Sequence, residues 1–105
     1  MNRNECYETL KRTCTNQLLE VVNNEKDGGT VYIKGIGNDK TRHIQIYFRP
    51  TKKSVLLSEK AKETISSIMT LPEQTNMIGS RYNFERVSDG FIMQVCDAFI
   101  QGYKI

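Results

Sequence analysis

The chain has no tryptophan, one histidine, two prolines and three cysteines among its 105 residues. With one histidine and no Cys-x-x-Cys pair, the usual zinc-ligand spacings are missing, and no metal or other cofactor is expected. Cys6 and Cys14 fall eight apart on a predicted helix, about 12 Å along its axis. A disulfide needs Cα atoms closer than about 7 Å, so these two cannot bridge without melting the helix. Cys96 lies in the last helical segment. The expectation is three free thiols acting as small buried hydrophobes in a reducing compartment. No apolar run approaches the ~20 residues a membrane-spanning helix needs. The opening MNRNECYETLKR lacks the apolar centre of a secretory signal, so a cytoplasmic location is expected and no membrane partner.

Catalytic patterns are scarce as well. His43 sits beside Arg42 at the mouth of a predicted hairpin, with no Ser, Cys or carboxylate at a local spacing that suggests a triad. Gly35-Ile36-Gly37 lacks the further glycine, the lysine and the following helix of a phosphate-binding loop. Gly28-Gly29 reads as a turn. Glu59 and Glu63 stand one helical turn apart, but Lys60 and Lys62 among them point to a salt-bridged surface. The chain is therefore expected to be non-enzymatic.

What the sequence does contain is patterned apolar and basic residues. An apolar fraction of 38% with 26% charged residues suits a folded chain rather than a disordered one, and residues 1–105 read as a single domain. The net charge of +3 is unevenly placed. Residues 26–62 hold nine Lys or Arg against three acids, a net +6, while residues 1–25 carry −1 and residues 63–105 carry −2. A concentrated basic region attracts nucleic acid or an acidic protein surface.

An amphipathic helix is predicted over 3–23, opened by Asn2 and Glu5 as a capping box and striped by Cys6, Leu10, Cys14, Leu18, Val21 and Val22. EKDGG then turns the chain, with Asp27-Gly28 as the pivot. Strands are expected over 30–36 and 43–49, joined by GNDKTR, with Pro50 stopping the second. KKSVLLS reads as a short third strand. Ser58 is a predicted N-cap for a helix reaching about Thr70, with Leu57, Ala61, Ile65, Ile68 and Met69 facing inward. TLPEQTNMIGS reads as a loop and RYNFERV as another strand. Ser88 opens a last helix striped by Phe91, Ile92, Val95, Cys96, Phe99 and Tyr103. The order α-β-β-(β)-α-β-α implies an α+β fold, a small antiparallel sheet of three to four strands with three helices. An arc as broad as that of the last helix is either buried in the monomer or part of a homodimer through the C-terminal helix.

The chemistry concentrates in the hairpin. Val31, Ile33, Ile44, Ile46 and Phe48 alternate with Thr30, Tyr32, Lys34, Gln45, Tyr47 and Arg49, so each strand has one face for the core and one for something else. Tyr32 and Tyr47 are placed to stack exposed bases. Lys34, Lys40, Arg42, Arg49, Lys52 and Lys53 are placed to contact phosphates, and Gln45 to read a base edge. Nucleic acid is accordingly the expected partner. The alternative is a protein partner, occluded by the same surface in the manner of a small inhibitor or adaptor, because Tyr and Arg are also interface anchors. In outline, KKSVLLSEKAKETISSIM followed by RVSDGFIMQVCDAFIQG resembles a ribbon-helix-helix repressor. That resemblance would place Lys53 and Ser54 at DNA and Ser88 at a phosphate. The gap from Thr70 to Arg86 is longer than that family's tight turn.

Overall fold

The computed structural model describes residues 1–26, 29–37, 39 and 41–104. The first helix, α1 (Arg3–Thr13), starts where its capping box dictates. Asn2 accepts from the Glu5 amide at 2.8 Å, and the Glu5 carboxylate accepts from the Asn2 amide at 3.0 Å. It ends ten residues short of the expected 3–23. Thr13 turns its hydroxyl back onto the Thr9 carbonyl, and Cys14 is extended. Leu19–Asn24 instead forms strand β1, which suits the β-branched Val21 and Val22. Asn16 anchors the crossover by donating to the carbonyls of Ile100 and Tyr103, both at 3.0 Å. Those acceptors belong to the last turn of the final helix, where carbonyls lack helical partners.

Strands β2 (Thr30–Gly35), β3 (Arg42–Phe48) and β4 (Lys53–Leu57) follow, then α2 (Glu59–Ser66), β5 (Asn76–Ile78), β6 (Arg81–Glu85) and α3 (Asp89–Gly102). The α+β class holds, and every strand pairing is antiparallel. The sheet has six strands rather than three to four, in the order β1-β2-β3-β4-β6-β5. The additional strands are β1 and β5, the latter inside a stretch read as loop. β5 and β6 are joined by Gly79-Ser80, where Gly79 takes a positive φ of 60° that a hairpin turn favours. Internal β4 pairs on both sides, so it is not the free ribbon of a ribbon-helix-helix protein.

Ser58 and Ser88 cap α2 and α3 as expected, accepting from the amides of Ala61 and Phe91. α2 stops at Ser66 rather than near Thr70. Ile68, expected inside, is 48% exposed because it falls beyond the last helical turn.

All three helices pack on one face of the sheet. Val31, Ile33, Ile44, Ile46, Val55 and Leu57 from the strands meet Cys6 and Leu10 of α1, Ala61 and Ile65 of α2, and the α3 stripe in one buried cluster. The broad arc of α3 is filled here: Ile92, Val95, Cys96, Ala98, Phe99 and Ile100 are all buried within the chain. Burial raises the thiol of Cys6 to about 12 and that of Cys96 well above its ordinary value, so both remain protonated. All three cysteines are free. No helix among the described residues is long and apolar enough to cross a membrane.

Candidate functional site

Because the helices occupy one face, alternate residues of the strands are left on a face that no helix covers. The register defines three rows across it. One runs Val22, Tyr32, Gln45, Leu56, Asn83, Asn76 from β1 to β5. A second runs Asn24, Thr30, Tyr47, Ser54, Glu85. The third is Glu20, Lys34, Arg42. Tyr32, Lys34, Arg42, Gln45 and Tyr47 therefore share this face, and Arg49 lies at its border over Tyr47.

The two tyrosines are diagonal neighbours on adjacent strands rather than a direct pair, since Tyr32 faces Gln45 and Tyr47 faces Thr30. Each carries a guanidinium on its ring: Arg42 lies 4.4 Å from the Tyr32 centroid and Arg49 lies 5.0 Å from that of Tyr47. Gln45, largely buried between them, donates to the Tyr47 hydroxyl at 3.3 Å. The result is a continuous strip of arginine, phenol, amide, phenol and arginine. Lys34 pairs with Glu20 at 3.1 Å and Lys52 with Glu85 at 3.2 Å. Both are partly exposed surface pairs, worth about 0–1 kcal/mol, so exchanging the carboxylate for a phosphate costs little.

Two other sequence-predicted cations stand apart. Lys53 shares its parity with Val55 and Leu57 and so lies on the helix-covered face. It binds Asp89 at the start of α3 at 2.6 Å, and Asp89 also holds the Met1 amino group at 3.0 Å. The hydrogen bond to Asp89 raises the Lys53 pKa and lowers that of Asp89 in turn. Lys40 lies outside the described residues, as does the Asp27-Gly28 pivot.

Beyond Tyr47 the face dips into a hollow of about 310 Å³. Its floor is Leu56 and Ser54 of β4. Tyr47 of β3 and Ile78 of β5 form opposite walls, while Asn83 and Glu85 of β6 supply polar groups and Arg49 and Lys52 stand at the rim. Leu56 is 5% exposed despite facing away from the helices, whereas Ile78 is 52% exposed.

A second polar cluster, not anticipated from the sequence, lies at the other end of the hairpin. The register shifts between Ile33 and Lys34, leaving His43 as a bulge residue. Arg42 thus stays on the helix-free face while His43 turns into the core against Phe99 and Tyr103, with ring centroids 5.4 and 5.3 Å away. His43 is buried. Its Nδ1 is 3.2 Å from Ser58 Oγ, and its Nε2 is 3.2 Å from Asp39 Oδ2. Asp39 also accepts from Tyr103 Oη and pairs with Lys60 at 3.6 Å, so this lysine serves the clasp rather than the neighbouring glutamates. Gly35 permits the approach, because a Cβ there would collide with the Asp39 backbone.

The charges follow from this arrangement. The Tyr103 hydrogen bond, reinforced by His43, keeps the Asp39 carboxyl well below the usual carboxylate range. Burial and the Asp39 carboxylate push the Tyr103 phenol up to about 12. Burial lowers His43 below 6.5 against the opposing pull of Asp39, so the imidazole is neutral near pH 7. With Nε2–H donating to Asp39, Nδ1 accepts from Ser58, whose oxygen accepts from the Ala61 amide at 3.2 Å. Serine, histidine and aspartate are thus linked, but the serine hydroxyl is buried as a helix cap. The chain of bonds clasps the hairpin tip to α2 and α3. Asp39 and His43 are only 4 residues apart, but Ser58 and Tyr103 join them across 15 and 64 residues.

No family model matches the chain, and no curated protein or solved structure is significantly similar to it.

Proposed function

We propose that this is a non-enzymatic nucleic-acid-binding domain that uses the helix-free face of its sheet, with single strands as the preferred polymer. The observation that carries the reading is the pair of arginine-covered tyrosines on adjacent strands. A base stacked on such a platform contributes about 1–3 kcal/mol whatever its identity, and an unstacked base is available only in a single strand. Arg42, Arg49, Lys34 and Lys52 supply the charge that releases counterions from the backbone.

The test is fluorescence anisotropy of labelled single-stranded DNA, duplex DNA and RNA at two salt concentrations. Micromolar or tighter binding of single strands, steeply weakened by salt, is expected. The Tyr32→Ala/Tyr47→Ala double variant should stay folded and bind at least tenfold more weakly. No binding at low salt, or unchanged binding by the double variant, would overturn the stacking platform. A second reading, docking on a protein as an inhibitor or adaptor, is favoured by one observation: Met77 and Ile78 on the edge strand are 44% and 52% exposed.

A further inference from the structure

Resting on the nucleic-acid reading of the same face, we infer that the hollow between Tyr47 and Ile78 receives one unstacked base of the bound strand, and that its chemistry selects guanine. At about 310 Å³ it is at the small end of the ~300–1,000 Å³ range of ligand pockets, suited to one heterocycle rather than a duplex. Its apolar lining comes from Tyr47 on β3, Ile78 on β5 and Leu56 on β4 between them. That lining role also accounts for Ile78, a large apolar side chain left half exposed on a helix-free face.

The polar end of the hollow is rich in acceptors. An ionised Glu85 offers only acceptors. The Asn83 amide directs its Nδ2 to Asn76 Oδ1 at 2.8 Å and towards Glu85 Oε1 at 3.4 Å, so the group it offers a ligand is its carbonyl oxygen. Among the bases, guanine alone presents two adjacent donors on its pairing edge, N1–H and the exocyclic N2 amine, to be met by Glu85 Oε2 and the Asn83 carbonyl oxygen, since Glu85 Oε1 already accepts from Asn83 and pairs with Lys52. Adenine and cytosine each place a ring acceptor beside their single amine. Thymine and uracil flank one N–H with two carbonyls, which a carboxylate repels. The guanine O6 next to N1–H needs a donor, and Lys52, already 3.2 Å from the Glu85 carboxylate, is placed to supply it. The same ammonium offsets the charge of Glu85 and prevents it from repelling the strand, while Arg49 at the rim faces a flanking phosphate.

The experiment compares labelled seven-residue oligothymidines carrying one central guanine, adenine or cytosine with the all-thymine strand at low salt. The guanine strand should bind about tenfold tighter than the others, as a good two-point contact to a base predicts. Glu85→Gln, which replaces one acceptor by a donor, should abolish that preference, so that the guanine strand binds this variant no tighter than the all-thymine strand does. Ile78→Ala should weaken the guanine strand selectively, with the salt dependence unchanged. Equal binding of all four strands, or a guanine preference that survives Glu85→Gln, overturns the guanine pocket while the nucleic-acid reading stands. Failure of every strand to bind at low salt overturns that reading and the pocket with it.

Discussion

Replacing His43 with leucine removes two polar links from the clasp at the hairpin tip while leaving a side chain of similar bulk against Phe99 and Tyr103. The bond to Ser58 is between neutral groups, worth about 0.5–1.5 kcal/mol net, and the bond to the Asp39 carboxylate is charge-assisted, worth about 1.5–3 kcal/mol. The variant should therefore be about 2–4 kcal/mol less stable than the parent at pH 7.5, a large share of the ~5–15 kcal/mol typical of a domain. The pH dependence is more diagnostic. Burial holds the folded imidazole below its ordinary 6.5, so below that pH the unfolded chain takes up a proton that the folded one resists. The parent is then fully stabilised above about pH 6.5 and loses stability as pH falls, with a slope of up to ~1.4 kcal/mol per pH unit until the folded value is reached. The leucine variant lacks that slope, so the gap between the two proteins narrows on acidification. His43 is the chain's only histidine. Asp39 adds stability that is lost only below its ordinary 3.8, outside the window. Urea unfolding at intervals from pH 7.5 to 5, together with NMR titration of the single imidazole, reads both quantities. Parallel stability curves for the two proteins, or an imidazole midpoint above 6.5, would refute the buried neutral clasp.

Ser88→Ala deletes the N-cap of α3 and should cost about 1 kcal/mol, seen as a fall of several degrees in the thermal midpoint by calorimetry. Ile46→Ala, at a fully buried site in the centre of the sheet, should cost about 2–5 kcal/mol, seen as a lower urea midpoint with the slope unchanged. For nucleic acid, Arg49→Ala should lower the salt dependence of single-strand binding by about 0.7 in log–log slope. Lys53→Ala, on the opposite face, should leave that slope unchanged in the same anisotropy titrations.

The caps at Asn2, Ser58 and Ser88 were legible because each is a local bond between a side chain and an amide three residues on. The strand alternation was legible for the same reason, and it assigned Tyr32, Gln45 and Tyr47 to one face correctly. β1 was hidden because Leu18, Val21 and Val22 continue the helical spacing of Cys6, Leu10 and Cys14; only pairing with β2, a non-local event, makes that segment a strand. β5 is three exposed residues with no apolar alternation. Gly79-Ser80 ahead of the RYNFE strand was nevertheless a usable hairpin signal. The helix-covered side of Lys53 could be read from its parity with Val55 and Leu57. The hollow and the clasp could not be seen, because they join β3 to β5 and the hairpin tip to α3.

The uncovered sheet has a consequence for how such a protein can change. Along β2 and β3, Val31, Ile33, Ile44 and Ile46 hold the fold together, while Tyr32, Lys34 and Tyr47 take no part in that core. Selection can therefore rewrite the second set almost freely while the first is held constant. In a saturation library scored only for folding, tolerance should rise and fall with a period of two residues through these strands, breaking step at the bulge at His43. Scored for binding, the same library should invert that rhythm at Tyr32 and Tyr47. New ligand preferences would then arise on an unchanged scaffold without passing through unfolded intermediates in sequence space.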